Sequence, residues 1–112
     1  MTTTLLFGPS FKDNLARLPA IDGVARIDLF DADGTPAGSI ANQPGQQGSL
    51  AVYQYLKTRF ATLDAQAAEL GLEIFAEHTP GARTTPGAHP NIDRLIAIAG
   101  GAPALSLEII PA

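Results

Sequence analysis

The chain contains no cysteine, which removes disulfides, thiolate nucleophiles and cysteine-ligated zinc from the functions open to it. That absence fits a reducing compartment, and a cytoplasmic location is the expectation. Charge is also scarce: charged residues make up 16% of the chain, eleven acids stand against two lysines and five arginines, and the net charge is −4. The seven cations are scattered, whereas grip on a phosphate backbone needs them clustered. Nucleic acid is therefore not an expected partner. Long apolar runs are missing too. The opening MTTTLLFGPS has no basic flank and offers only Leu5, Leu6 and Phe7 in sequence, far short of the roughly 20 apolar residues that cross a bilayer. Neither export nor a membrane partner is expected.

What is present is enough for one core. A chain of 112 residues with 46% hydrophobic content is long enough to remove roughly two-thirds of its unfolded surface from water, and too apolar to stay disordered. A single domain over 1–112 is expected, with 1–8 as a loosely ordered N-terminal tail.

Periodicity supplies the elements. SFKDNLARL places Phe11, Leu15 and Leu18 on one side of a helix over about 10–18, stopped by Pro19. VARIDLFD alternates, with Ala25, Ile27 and Leu29 on one face and Arg26, Asp28 and Phe30 on the other, the signature of a strand with one buried face. Turn residues in DADG then allow a return strand, giving a hairpin over about 24–41. LAVYQYLKTRFATL aligns Tyr53, Leu56, Phe60 and Leu63, a helix over about 49–61 with Ser49 as its N-cap.

The stripe Leu63, Ala67, Leu70, Ile74 and His78 favours a further helix over about 64–78, although Gly71 interrupts it and residues 72–77 can also alternate as a strand. Pro80, Gly81, Pro86 and Gly87 make 79–89 a loop, and Pro90 opens a helix over about 90–99. ALSLEIIP closes as a strand over about 104–110. The expected class is α+β: a small, mainly antiparallel sheet with three to four helices packed mainly on one face.

Three stretches could carry chemistry. LFDADGT resembles the nucleophile motif of haloacid-dehalogenase-type phosphatases, which would make Asp31 the nucleophile and Asp33 the acid/base. The rest of that machinery does not follow: Lys57 is the only later lysine, and Asp64 and Asp93 stand far apart. A turn needs Asp and Gly for their backbone tolerance alone, and that is the reading adopted. DADG is also too short for a calcium loop. The second stretch is PGQQGS, where Gly45, Gly48 and Ser49 lead into a helix N-terminus whose free N–H groups could face an anion. It matches neither a P-loop nor a dinucleotide fingerprint.

The third stretch, FAEHTPGARTTPGAHPNIDRLI, holds both histidines. Imidazoles act as bases or ligands near neutral pH, and carboxylates orient them, so Glu77, His78, His89, Asp93 and Arg94 form a candidate ligand crevice. His78 and His89 lie eleven residues apart across a loop, which is not the spacing of a helical metal pair. Neither a metal nor another cofactor is expected. The bland alternative is a hydrogen-bonded His78, a capping His89 and a helix-end charge arrangement at Asp93 and Arg94.

SIANQPGQQGSLAVYQYL and AEHTPGARTTPGAHPNIDRLIAIAGG, preceded by IDLFDADG, resemble a family of small bacterial proteins known as domain of unknown function 2322, with HPNIDRL as the most specific string. The likeness spans nearly all the chain after Phe11. It implies a bacterial, cytoplasmic, single-domain protein and, with no activity assigned to the family, transfers no catalytic residue. Pro80 and Gly81 depart from the family's pattern, in which the helix continues beyond His78.

Two functions remain from different classes. One is a non-enzymatic interaction module that self-associates as a homo-oligomer. The other is a small-molecule or anion-binding protein, or a minor enzyme, with its crevice around His78 and His89. Tyr53 and Tyr55 discriminate: burial of both favours the first, and a tyrosine hydroxyl sharing a pocket with both histidines favours the second.

Overall fold

The computed structural model describes residues 7–112. The expected tail lies mostly outside them, but Phe7 and Gly8 are anchored. The Phe7 ring meets Tyr55 edge-on at 5.7 Å, and the Gly8 N–H donates to Asn14 Oδ1 at 2.9 Å.

Helix α1 (Phe11–Leu15) precedes the hairpin of β1 (Val24–Phe30) and β2 (Pro36–Ala41). Four helices follow, α2 (Gln47–Arg59), α3 (Ala65–Phe75), α4 (His78–Thr84) and α5 (Pro90–Ala99), and β3 (Ser106–Pro111) closes the described chain. The sheet is three-stranded in the order β2-β1-β3, with both pairings antiparallel. This is the α+β architecture read from the periodicity, with five helices among the described residues rather than three to four.

Strand β1 sits centrally because it carries the apolar alternation. Ile27 and Leu29 are fully buried, with Ile40 of β2 and Leu107 of β3 beside them. The outward face is polar: Arg26 Nε lies 3.0 Å from Asp28 Oδ1, and Ser39 donates to the same carboxylate. Arg26, with Ser39 helping, holds the Asp28 carboxyl below its usual range against the opposing pull of desolvation. One inward position differs from expectation. The β1–β3 register shifts between Val24 and Arg26, and such a bulge turns one residue out of alternation. Val24 is therefore buried in place of Ala25.

The DADG turn uses its own aspartate. Asp31 Oδ1 accepts from the N–H groups of Asp33 at 2.9 Å and Thr35 at 3.0 Å, while Gly34 takes φ +83°. A carboxylate engaged in this way closes a turn, as Asp does generally.

Helix α2 is the centre of the core. Leu50, Val52 and Tyr53 are fully buried and Tyr55 and Leu56 nearly so. The helix starts at Gln47 rather than Ser49 and ends at Arg59 rather than residue 61, and Ser49 lies inside its first turn instead of capping it. At the N-cap, Gln46 makes no side-chain capping bond, because its Oε1 accepts from Ala41 N–H at 3.1 Å.

The expected helix over 64–78 is α3, which ends at Phe75, and a separate helix begins at His78. Asp64 caps α3 by accepting from Ala67 N–H at 2.9 Å, and Gly71 lies within the helix. The chain leaves helical geometry at Ala76, whose φ is +53°, a region that L residues rarely adopt. Helix α4 then occupies the first part of the segment read as loop, with Pro80 in its first turn, where a missing N–H loses nothing. Residues 72–75 are helical, which closes the strand alternative.

The carbonyls orphaned at the end of α3 find partners from elsewhere, as buried helix ends require. Thr79 Oγ1 donates to Leu72 O at 2.7 Å, and Asn14 Nδ2 donates to Ile74 O at 2.9 Å. Helix α1 is shorter than expected, ending at Leu15 in three-residue turns that carry the chain to Leu18. Among the described residues no helix is long and apolar enough to cross a membrane.

Candidate functional site

A crevice of about 560 Å³ opens where α1, the N-terminus of α2, the end of α3 and the α4–α5 connection meet. Its base is built by Phe11. That ring packs on Phe75 at 5.0 Å, stands edge-on to His78 at 5.1 Å, and lies close enough to Gly48 that a Cβ there would come within 3.2 Å of it. Leu15, one turn along α1, and Ile92 of α5 extend the apolar wall.

His78 begins α4 and His89 precedes Pro90 at the start of α5, so both imidazoles stand at helix starts. Their ring centres are 6.2 Å apart, and both rings are exposed to solvent along the crevice. Gly45, Gly48 and Ser49 line the same space. Two candidate stretches read separately from the sequence thus share one concavity: the histidine pair and the glycine loop leading into α2.

Glu77, Asp93 and Arg94 are not among the lining residues. Glu77 Oε1 accepts from Phe11 N–H at 2.6 Å, a bond that fastens the start of α1 to the α3–α4 junction and holds the Glu77 carboxyl below its usual range. Asp93 Oδ2 accepts from Gly87 N–H at 2.8 Å and so fixes the loop that delivers His89. Arg94 donates to Asn91 Oδ1 at 3.0 Å and to Tyr53 Oη at 3.3 Å, and its guanidinium lies against Gly38 where a side chain would collide with it. These three residues position the walls of the crevice.

Tyr53 and Tyr55 are both buried, and neither borders the crevice. Tyr53 donates to Asn91 O at 2.6 Å, and burial pushes its phenol up to about 12 against the opposing pull of Arg94. By the tyrosine criterion alone the interaction reading gains, whereas the meeting of the two histidines favours the ligand reading.

Sequence reasoning did not assign Phe11, Phe75, Asn91 or Ile92 to this site. The four-residue spacing of Phe11 and Leu15 marks them as one face of a helix, but which groove that face borders depends on the α3–α4 break at Ala76. Among the described residues no three histidine, aspartate or glutamate side chains come together as a metal-ligand set.

The segments forming both sides of the crevice fall within one matched region, residues 11–109, of a family described as uncharacterized proteins conserved in bacteria, domain of unknown function 2322. The chain belongs to this family. The matched region of the 2322 family takes in Phe11, the glycine loop, both histidines and all three strands of the sheet through Ile109. No curated protein and no solved structure matches the chain.

Proposed function

We propose that this member of the 2322 family is a binding protein for a small anionic ligand held in the Phe11–His89 crevice. The observation that carries the proposal is the meeting of His78 and His89, 6.2 Å apart, over the same opening as the first turn of α2. That turn has no capping side chain, and its outward N–H groups favour negative charge. Imidazoles add donors and, when protonated, positive charge. Binding is preferred to catalysis because the Glu77 and Asp93 carboxylates are engaged by the backbone N–H groups of Phe11 and Gly87, and a general-base histidine relies on a group that orients it.

The test is a thermal-shift series with inorganic phosphate and acetate on the native chain and on His78→Gln and His89→Gln. A ligand held by both rings raises the unfolding temperature of the native chain by mass action, and each substitution lowers affinity roughly tenfold, about 1.4 kcal/mol. Equal shifts in all three proteins would remove the histidines from the site.

The buried tyrosines support a second reading, self-association. Among the described residues β2 and β3 are the outer strands of the sheet, with Leu63 bridged to Leu105 just before β3, and outer strand edges can pair with another copy. Light scattering after size exclusion should then give twice the chain mass at high concentration. A strict monomer there ends this second reading and leaves the first untouched.

A further inference from the structure

We infer that the ligand of the crevice is an amphiphilic monoanion: a single carboxylate head on an apolar, preferably aromatic, body. The inference rests on the anion-binding reading above and narrows it by two features of the crevice.

The first is charge. None of the lining residues is aspartate, glutamate, lysine or arginine, so among the described residues the two imidazoles are the only ionisable side chains facing the space. A nucleotide or other polyphosphate is ordinarily met by arginine or lysine, whose fixed charge matches several negative oxygens. Arg94, in the helix that His89 precedes, is turned onto Tyr53 and Asn91. Two imidazoles and a helix N-terminus supply hydrogen-bond donors enough for one carboxylate, and Glu77, next to His78 in sequence, already has its own carboxylate on the Phe11 N–H.

The second is size and surface. About 560 Å³ is far more than a carboxylate fills, and lies within the range of roughly 300–1,000 Å³ usual for small-molecule sites. Besides Gln47, Ala88, Pro90 and Asn91, the wall carries the partly exposed side chains of Phe11 and Leu15, backed by the buried Phe75 and Ile92. Phe75, tilted by 30° with its centre 5.0 Å away, holds the Phe11 ring in place beside His78, and the part of the Phe11 ring that stays exposed offers an aromatic surface on which a flat ring can pack. A small hydrophilic anion would leave that wall in contact with water, whereas an apolar body would cover it.

The test is calorimetric titration of the full chain with four probes, benzoate, acetate, inorganic phosphate and benzyl alcohol, with Leu15→Ala and His89→Gln as variants. The expected result is benzoate bound at least tenfold more tightly than acetate or phosphate, with no measurable binding of benzyl alcohol. Leu15→Ala should narrow the gap between benzoate and acetate without weakening acetate, and His89→Gln should weaken both acids together. Leu15 is only partly buried, and a circular-dichroism melt identifies any variant that fails to fold. Equal affinity for benzoate, acetate and phosphate would overturn the amphiphile and leave the anion reading standing. Benzyl alcohol binding as tightly as benzoate would overturn both. Absence of binding by benzoate at millimolar concentration would overturn the amphiphile, with phosphate or acetate binding then deciding the anion reading by itself.

Discussion

Replacing Asn14 by leucine lowers the unfolding free energy by about 2–4 kcal/mol, the sum expected when buried backbone partners lose their hydrogen bonds. Asn14 is the buried polar residue of the described core, with no exposed surface. Its side-chain amide donates to Gly8 O at 3.0 Å and Ile74 O at 2.9 Å, and its carbonyl accepts from Gly8 N–H at 2.9 Å. Leucine shares the branching of asparagine and is larger, so none of the loss comes from a cavity. The Ile74 carbonyl sits at the buried end of α3, while the Gly8 groups can recover water in part. Urea unfolding measures the change as a lower midpoint with an unaltered slope. A change below about 0.5 kcal/mol, the usual range for unremarkable surface sites, would mean that this amide does not tie α1 to α3.

Gly71→Val lowers stability by about 1–3 kcal/mol, the usual range for forcing extra methyl groups into a close-packed core. A Cβ at Gly71 would stand 2.7 Å from Leu95 Cδ1 and 3.0 Å from Leu56 Cδ1. Leu95 has no exposed surface and Leu56 is 1% exposed, so neither can swing into solvent. Gly81, also helical, supplies the contrast, because nothing lies within 4 Å of a Cβ there. Gly81→Ala should therefore raise stability by roughly 0.5–1 kcal/mol, the ordinary gain from alanine over glycine in a helix. For a domain near this size, each kcal/mol moves the melting temperature by about 4–8 °C, so opposite shifts are easily resolved. Shifts of the same sign would refute the claim that α3 is held close to α2 and α5 through Gly71.

Gly71 also shows where reading the chain residue by residue stops short. Local periodicity recovers the sheet, the hairpin, α2 and α5, because alternation and the 3.6-residue stripe are set by neighbours a few positions away. It treats Gly71 as damage to a helix, since the reason for glycine lies on Leu56 and Leu95, fifteen and twenty-four residues away. Asn14 hides in the same way, as its partner Ile74 is 60 residues distant. The end of α3 at Ala76 carries no glycine to announce it, and α4 was hidden by Pro80 and Gly81, residues that usually mark loops.

The site was legible in pieces. Both histidines and the glycine loop can be picked out by residue type, and the crevice gathers them. Their charged neighbours Glu77, Asp93 and Arg94 have the same chemical credentials, and only the direction of each side chain separates lining residues from supporting ones. No sequence pattern reports that the Glu77 carboxylate turns to the Phe11 N–H or that Asp93 turns to the Gly87 N–H.

The position of Phe11 has a thermodynamic consequence. Its N–H is held by Glu77, and its ring touches Phe75, His78 and the face of α2 at Gly48. A ligand seated on that ring has its full surface only when α1 is docked, so occupancy and docking form one linked equilibrium. By reciprocity, whatever factor docking adds to affinity, the ligand returns to docking.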